Sequence, residues 1–332
     1  MIEINVCPST LEVGNNTYST KALRTLFDGE KVSCVLPYNR PDSDEAVKEI
    51  QNGSGRISLS GVQEKMSAVV RDGTVQLSKK GEQGRYILKP IPSAIHLFDR
   101  TYMPANEHLS MQIASQIYNI PTAANGLVFW QDGSPAYLTK RFDVNSDGTK
   151  NAMEDFAGLA GLTRANGGSD YKYCNLSYEE CGDLIRQHVL AAPVEILKFF
   201  RVVVYNYLIS NDDAHLKNFS IMERAHGDYV MAPAYDLINT FMHLGQPRIF
   251  ALDKGLFKEG MKLSDTRIVN RADFLEFGKR LGLNERLVKR EMDRFCDDYR
   301  ELHKLINSSF LSDDLKRKYE LSFKYRVNTL RQ

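Results

Sequence analysis

The first half of the chain shows the two-residue alternation of apolar and polar positions that is typical of β-strands. Residues 57–70 alternate in this way and lead into Asp72-Gly73, a dipeptide typical of two-residue hairpin turns. One further strand is predicted over 85–89. Two more strands are predicted within 127–142, where they form a second hairpin. A helix with one apolar stripe is predicted over 105–119. The first half is therefore predicted to be a sheet with one packed helix.

The second half changes to the helical period. Ser177 with Glu180 predicts a capping box, in which each side chain satisfies a free backbone amide of the first helical turn. The segment from Val194 to Ile209 is apolar nearly all round, as expected of a helix buried in the centre of a lobe. Three more helices are predicted from their apolar periodicity, over 271–281, 285–306 and 313–330.

These elements predict an α+β fold with two lobes. A small β-rich lobe is expected over residues 1–142 and a larger helical lobe over 143–332. Ligands favour the cleft between two such lobes, so any chemistry is expected there.

Composition narrows the function classes. Among 332 residues 42% are hydrophobic and 26% charged, and the net charge of +1 gives no chain-wide field for nucleic acid or a membrane. The five cysteines include no CxxC pair, which argues against a zinc ribbon or a disulfide framework. The first residues do not resemble a secretory signal, and the most apolar run, 202–209, is too short for a membrane span. A cytoplasmic protein is expected.

The densest polar cluster follows the apolar helix and contains Asp213 and Asn218 in Asp-x-x-x-x-Asn spacing, with Asp236 eighteen residues later. In protein kinases this order places a carboxylate at the attacking hydroxyl, an amide on a metal and a second carboxylate on magnesium. A lone Asp-x-x-x-x-Asn is usually a capped helix or a turn. The added strand-like stretch and second Asp favour phosphoryl transfer.

Two residues within the cluster, His215 and Lys217, each fit more than one role. His215 suits proton shuttling, a phosphate contact or bracing of the loop by hydrogen bonds, and bracing is favoured. Lys217 suits neutralisation of the transferring phosphoryl group equally with a solvated surface role.

The first half adds candidates for the phosphates. The loop 58–65 includes Ser60 and Gly61, whose backbone amides suit a phosphate cradle, although neither a Walker A nor a GxGxxG motif is present. Lys89 ends a predicted strand and Glu107 begins the following helix, the order of the lysine and helix glutamate of kinases. Each alone also fits a surface lysine or a glutamate favoured by the helix dipole.

The chain resembles the HipA family of serine/threonine kinase toxins from about residue 57 to 236. The resemblance is carried in order by seven motifs, at 57–65, 86–90, 106–107, 140–143, 154–156, 211–220 and 233–237. It implies a protein-kinase-like fold that uses ATP and Mg²⁺. It implies that Asp213 is the catalytic base and that Asn218 and Asp236 bind magnesium. It also implies that Lys89 binds the phosphates and that His215 lines the nucleotide site.

The resemblance also implies a hinge and a regulatory loop. Lys140 and Phe142 would supply backbone contacts to adenine, and Tyr235 would line the nucleotide site. Ser58 aligns with the serine that these kinases autophosphorylate, and Ser60 completes the two-serine version of the split-toxin branch. Two loop hydroxyls without a regulatory role are the alternative.

The Ser-x-Ser loop begins at residue 58, so the extra N-terminal subdomain of full-length HipA is expected to be missing, as in the shorter toxins. Residues 7–41 resemble the short segment before the kinase core of such chains. The implied partners are a protein substrate, by family an aminoacyl-tRNA synthetase, and an antitoxin, including a small protein that replaces the subdomain. DNA would be reached only through an antitoxin, and no membrane is expected.

Two other functions compete with a toxin kinase. A small-molecule kinase would use the same two-lobe core and differ in its labelled product. A catalytically inactive module that binds an antitoxin would show no transfer, which the presence of Asp213, Asn218, Asp236 and Lys89 disfavours.

Overall fold

A five-stranded antiparallel sheet forms the first part of the protein. The computed structural model describes residues 4–39, 64–94, 97–224, 227–244, 248–261, 268–297 and 300–332. The strands are β1 (Met66–Arg71), β2 (Thr74–Leu77), β3 (Tyr86–Lys89), β4 (Asn125–Phe129) and β5 (Pro135–Lys140), in the spatial order β2-β1-β3-β5-β4. Asp72 and Gly73 join β1 to β2 with φ angles of 51° and 66°, the left-handed pair of a tight hairpin turn.

The segment before the sheet covers the edge strand β4. The Leu127 amide donates to the Pro8 carbonyl and the Phe129 amide donates to the Cys34 carbonyl, so the free side of β4 is hydrogen-bonded. Helix α1 (Thr20–Phe27) lies in this segment and begins at Ser19, whose side chain accepts the Ala22 amide. An edge that would otherwise expose unpaired backbone groups is therefore closed.

Helix α2 (Met103–Gln116) packs on the sheet and is buried along most of its length. It begins two residues before the predicted start and has Pro104 in its first turn, where a missing amide does no harm. Its other side meets the helical part of the chain, because Ser110 contacts the hydroxyl of Tyr319 at 2.9 Å and its carbonyl accepts from the hydroxyl of Tyr205.

The rest of the chain is mainly helical. The helices are α3 (Phe156–Leu159), α4 (Arg164–Gly167), α5 (Tyr171–Cys174), α6 (Tyr178–His188), α7 (Ala192–Leu208), α8 (Arg271–Arg280), α9 (Glu285–Cys296), α10 (Arg300–Asn307) and α11 (Asp313–Arg331). The capping box of Ser177 and Glu180 is confirmed at the start of α6, and α7 is the buried central helix that its composition predicted. A small sheet of β6 (Met153–Asp155), β7 (Ser220–Glu223) and β8 (Tyr229–Met231) accompanies them.

The single helix predicted over 285–306 is wrong. The structure ends α9 at Cys296, because Asp297 adopts an extended backbone with ψ of 149°. The Cys296 carbonyl accepts two hydrogen bonds from the guanidinium of Arg331, 35 residues away, instead of continuing the helix. Both helices bury one apolar face, which is why their periodicity appeared continuous.

The sheet and the helices agree with the predicted α+β class, and the boundary at residue 142 stays a prediction. In the ranges that the structure describes, no helix is long and apolar enough to cross a membrane.

Candidate active site

A cavity of about 510 Å³ lies where the end of β3, the start of α2 and the loops after α7 and β8 meet. We call it the cleft. Four residues predicted from the sequence to act together, Lys89, Asp213, Asn218 and Asp236, line it, as do Glu107 and His215. They come from separate parts of the chain, so the fold and not the local sequence assembles them.

Asp236 is the electrostatic centre of the cleft. Its backbone has a φ of 55°, a left-handed conformation that aspartate tolerates better than bulkier residues and that is often found at functional sites. One carboxylate oxygen contacts Lys89 Nζ, and the other lies 3.2 Å from Lys65 Nζ. Burial opposes the charge, but the two ammonium groups hold the pKa of Asp236 well below its ordinary value. The carboxylate is therefore ionised.

Lys89 and Glu107 form a buried ion pair. Lys89 ends β3, Glu107 lies in the first half of α2, and Nζ is 2.5 Å from Oε1. Their side chains are only 3% and 2% exposed. Burial alone would lower the pKa of Lys89, but Asp236 and Glu107 raise it above the ordinary value, so the lysine stays charged. The pair fixes a cation at the base of the cleft.

Asp213 lies in the loop that follows α7. Its amide donates to the side-chain oxygen of Asn211 at 3.1 Å, which stabilises the loop. The hydroxyl of Tyr173 donates to Asp213 Oδ1 at 2.6 Å. Half of the Asp213 side chain is exposed. Desolvation by the cleft walls raises the pKa of Asp213, and the hydrogen bond from Tyr173 partly opposes that rise.

The side chain of Asn218 shows whether the cleft could bind a divalent cation. It ends a 3₁₀ turn, Leu216–Asn218, and its Nδ2 lies 3.4 Å from Asp236 Oδ2. Its Oδ1 is buried and has no hydrogen-bond partner among the described residues. A buried acceptor without a partner is unfavourable unless a ligand completes it. One amide oxygen beside one carboxylate fits Mg²⁺, which keeps waters and phosphate oxygens as its other ligands.

His215 is neutral and contributes a free donor. Lys172 Nζ lies 3.0 Å from Nε2, so Nε2 acts as an acceptor and the ring proton is assigned to Nδ1. Burial and the charge of Lys172 lower the pKa of His215 to about 3. Its Nδ1 is buried without a partner in the described part of the chain. The ring of Tyr173 lies 5.1 Å from the His215 ring, edge-on, and the bracing and phosphate roles of His215 stay predictions.

Several other predicted residues are not among those that line the cleft. Lys217 Nζ is 2.8 Å from Asp155 Oδ2, so its charge is paired. The hydroxyl of Tyr235 donates to the Lys217 carbonyl at 2.9 Å, and its ring packs on Phe142 with centroids 5.7 Å apart. The Lys140 side chain pairs with an exposed aspartate of the first segment, Asp28. Their assigned roles stay predictions.

Ser58, Ser60 and Gly61 lie outside the described residues, so their roles also stay predictions. Lys65, at the end of the same motif, is described and reaches Asp236. Sequence reasoning did not select Lys65 as a site residue, although the motif contained it. Nor did it select Lys172 or Tyr173, which lie in an irregular connection with no periodic or motif signal.

Comparisons with known proteins agree with the motifs. Residues 57–302 match the HipA-like C-terminal domain family. A Haemophilus influenzae protein named "Putative kinase" is 26% identical over 310 residues, which are 89% of this chain and 87% of that protein. The Sinorhizobium fredii protein "Putative kinase Y4dM" is 28% identical over 268 residues, which are 77% of this chain and 62% of that protein.

Two solved structures share the fold. The HipA chain of the Shewanella oneidensis MR-1 toxin–antitoxin complex of HipA, HipB and operator DNA gives a TM-score of 0.64 at 18% identity, over 89% of this chain and 74% of that one. The Helicobacter pylori proinflammatory kinase CtkA gives 0.50 at 14% identity, over 82% and 94%. The predicted two-lobe, protein-kinase-like fold is confirmed.

Proposed function

The chain belongs to the HipA-like C-terminal domain family, and on this basis we propose that it is a serine/threonine protein kinase that uses ATP. The observation that carries the proposal is the convergence of Lys89, Asp213, Asn218 and Asp236 on one cleft. A kinase needs a cation for the phosphates, a base for the acceptor hydroxyl and oxygen ligands for magnesium, and these four residues supply all three.

The base and the metal ligands have separate positions in this arrangement. Asp213 accepts the proton of the acceptor hydroxyl, and half of its side chain is exposed to the cleft. Asn218 Oδ1 and the Asp236 carboxylate would hold Mg²⁺, which would supply positive charge to the phosphate oxygens.

Lys89 binds phosphate oxygens while Glu107 keeps its ammonium in place. The Nδ1 proton of His215 is a second donor for a phosphate. Lys217 is proposed to add positive charge near the transferring group, with Asp155 as its partner.

At the adenine end, the backbone of Lys140 and Phe142 is proposed to form the hinge contacts. Tyr235, packed on Phe142, would line the nucleotide site. Ser60 and Gly61 would complete the phosphate loop, and Ser58 and Ser60 are the proposed autophosphorylation sites.

We further propose that the kinase is the toxin of a toxin–antitoxin system. The structural relative from Shewanella was solved with the antitoxin HipB and operator DNA, which supports an antitoxin partner here and DNA only through it. A small protein is a second proposed partner. The protein substrate is proposed to be an aminoacyl-tRNA synthetase, in the cytoplasm.

The test is transfer of label from γ-labelled ATP by the purified chain, after dephosphorylation, to itself and to proteins of a bacterial lysate. Asp213→Asn is expected to lower transfer by about 100-fold or more, the usual contribution of a general base. Asp236→Asn should lose both activity and magnesium dependence. Asp314→Asn, an exposed carboxylate in the first turn of α11, is the matched control and should transfer normally.

The outcomes separate the competing functions. Label in a small metabolite instead of a protein would favour a small-molecule kinase. Equal, background transfer by the wild-type chain and Asp213→Asn would favour an inactive binding module. Near-normal transfer by either Asp213→Asn or Asp236→Asn would refute the site.

A further inference from the structure

Tyr173 makes the contact that a substrate hydroxyl is expected to make. Its phenol oxygen lies 2.6 Å from Asp213 Oδ1 and donates its proton to it. In the proposed reaction the acceptor hydroxyl must donate to this same carboxylate before it attacks phosphorus. Hydrogen bonds to a carboxylate belong to the stronger class, so the phenol competes with an incoming hydroxyl.

The segment that carries Tyr173 has little regular structure of its own. Helix α5 is a single turn of four residues, too short to be stable by itself. The Tyr173 amide donates to the Asp170 carbonyl at 2.8 Å, and the Tyr173 carbonyl accepts from the Asp253 amide at 3.0 Å. Lys172 adds its contact with His215 at 3.0 Å. Release of the phenol from Asp213 requires its own hydrogen bond to break, which is a side-chain contact separate from these backbone bonds.

The cleft that contains Asp213 and Tyr173 has room for part of another chain. Its lining includes apolar side chains, among them Leu97, Met103 and Leu244, and charged ones, among them Asp170, Arg248 and Asp253. A chain segment that entered the cleft would bring a side-chain hydroxyl to Asp213.

We propose that Tyr173 occupies the acceptor position of the cleft, and that a hydroxyl-bearing segment of the protein substrate binds by displacing it from Asp213. The inference rests on the proposed kinase function and adds the place and chemistry of its acceptor site. Tyr173 acts through Asp213 and is a positioning residue: its hydroxyl occupies Oδ1 until a substrate hydroxyl replaces it, which limits proton transfer from water to that oxygen.

The test is ATP hydrolysis without a protein substrate. In that side reaction the water oxygen bonds to the terminal phosphorus, the bond from that phosphorus to the bridging oxygen breaks with its electrons left on ADP, and the water proton passes to Asp213. Tyr173→Phe keeps the ring against His215 and removes only the hydroxyl. Its hydrolysis rate should rise about tenfold, the lower range for a hydrogen bond to a charged group. Tyr325→Phe, an exposed tyrosine of α11, should leave the rate unchanged.

Binding of ATP, measured by calorimetry, distinguishes the two levels of inference. Unchanged ATP affinity with a tenfold faster hydrolysis in Tyr173→Phe supports the proposal. Unchanged affinity with equal or slower hydrolysis overturns it and leaves the kinase assignment intact. Phosphate found on Tyr173 itself after incubation with ATP would also overturn it, because the residue would then be a substrate. Absence of ATP binding and of any transfer by the wild-type chain would refute the kinase function instead.

Discussion

Acidification is expected to destabilise the protein through His108. This residue follows Glu107 on α2, its side chain is 1% exposed, and its Nε2 donates to the Ser9 carbonyl at 2.8 Å. It therefore links the segment that covers β4 to the helix that carries Glu107. Burial lowers the pKa of His108 from 6.5 to about 4, because a charged ring cannot be solvated there.

The magnitude follows from that difference in pKa. Well above pH 6.5 the ring is neutral in the folded and unfolded states, so it gives no pH dependence. As pH falls from 6.5 toward 4, the unfolded chain binds a proton and the folded chain does not, so the free energy of unfolding decreases. The loss should reach roughly 3 kcal/mol at pH 4, with a slope of about 1.4 kcal/mol per pH unit.

The assay is urea unfolding between pH 7.5 and 4.5 for the wild-type chain and His108→Gln, whose neutral amide still offers a donor to Ser9. Carboxylates that titrate in the same range are common to both proteins and cancel in the difference. The difference in unfolding free energy should shift by roughly 1.6 kcal/mol in favour of the variant as pH falls from 6.5 to 5. The exposed His188→Gln serves as control. A difference that stays flat with pH would refute the reasoning.

Two further predictions concern the pair behind the cleft and the helix contacts. Glu107→Gln leaves Lys89 with Asp236 as its remaining counter-charge; unfolding free energy should fall by about 3 kcal/mol in urea titrations, and calorimetry should show ATP binding at least tenfold weaker. Normal ATP affinity would contradict the role of the pair. A Cβ added at Gly278 would lie 2.6 Å from Val288 on the adjacent helix. Gly278→Ala should therefore lower the free energy of unfolding by about 1–2 kcal/mol, which a lower thermal midpoint would show. Gly182→Ala, which meets only the flexible end of Leu281, should be milder; the reverse order would contradict the packing argument.

Local rules predicted those parts of the fold that local chemistry decides. The Asp72-Gly73 turn, the capping box of Ser177 and Glu180, and the buried helix α7 all depend on neighbouring residues, and all three are present. The break after α9 depends on a guanidinium 35 residues away, which no periodicity within 285–306 contains.

The candidate site divides in the same way. The order of Lys89, Glu107, Asp213, Asn218 and Asp236 along the chain was enough to select them, and the structure brings them to one cleft. Their roles stay predictions. The contact of Tyr173 with Asp213 arises from a one-turn helix in an irregular connection, where neither spacing nor composition gives a signal.

Helix α11 is the last of the described helices to be translated, and it contacts the elements that form the cleft. Its Tyr319 meets Ser110 of α2 across 209 positions, and its Arg326 donates to Ser210, just before the catalytic loop. A ribosome adds about 5–20 residues per second, so roughly 4–17 s separate the translation of Asp236, the last of the catalytic residues, from that of Tyr319. During that interval the nascent chain has its catalytic residues but lacks the helix that supports their loop. We expect nascent chains that stop before α11 to be inactive.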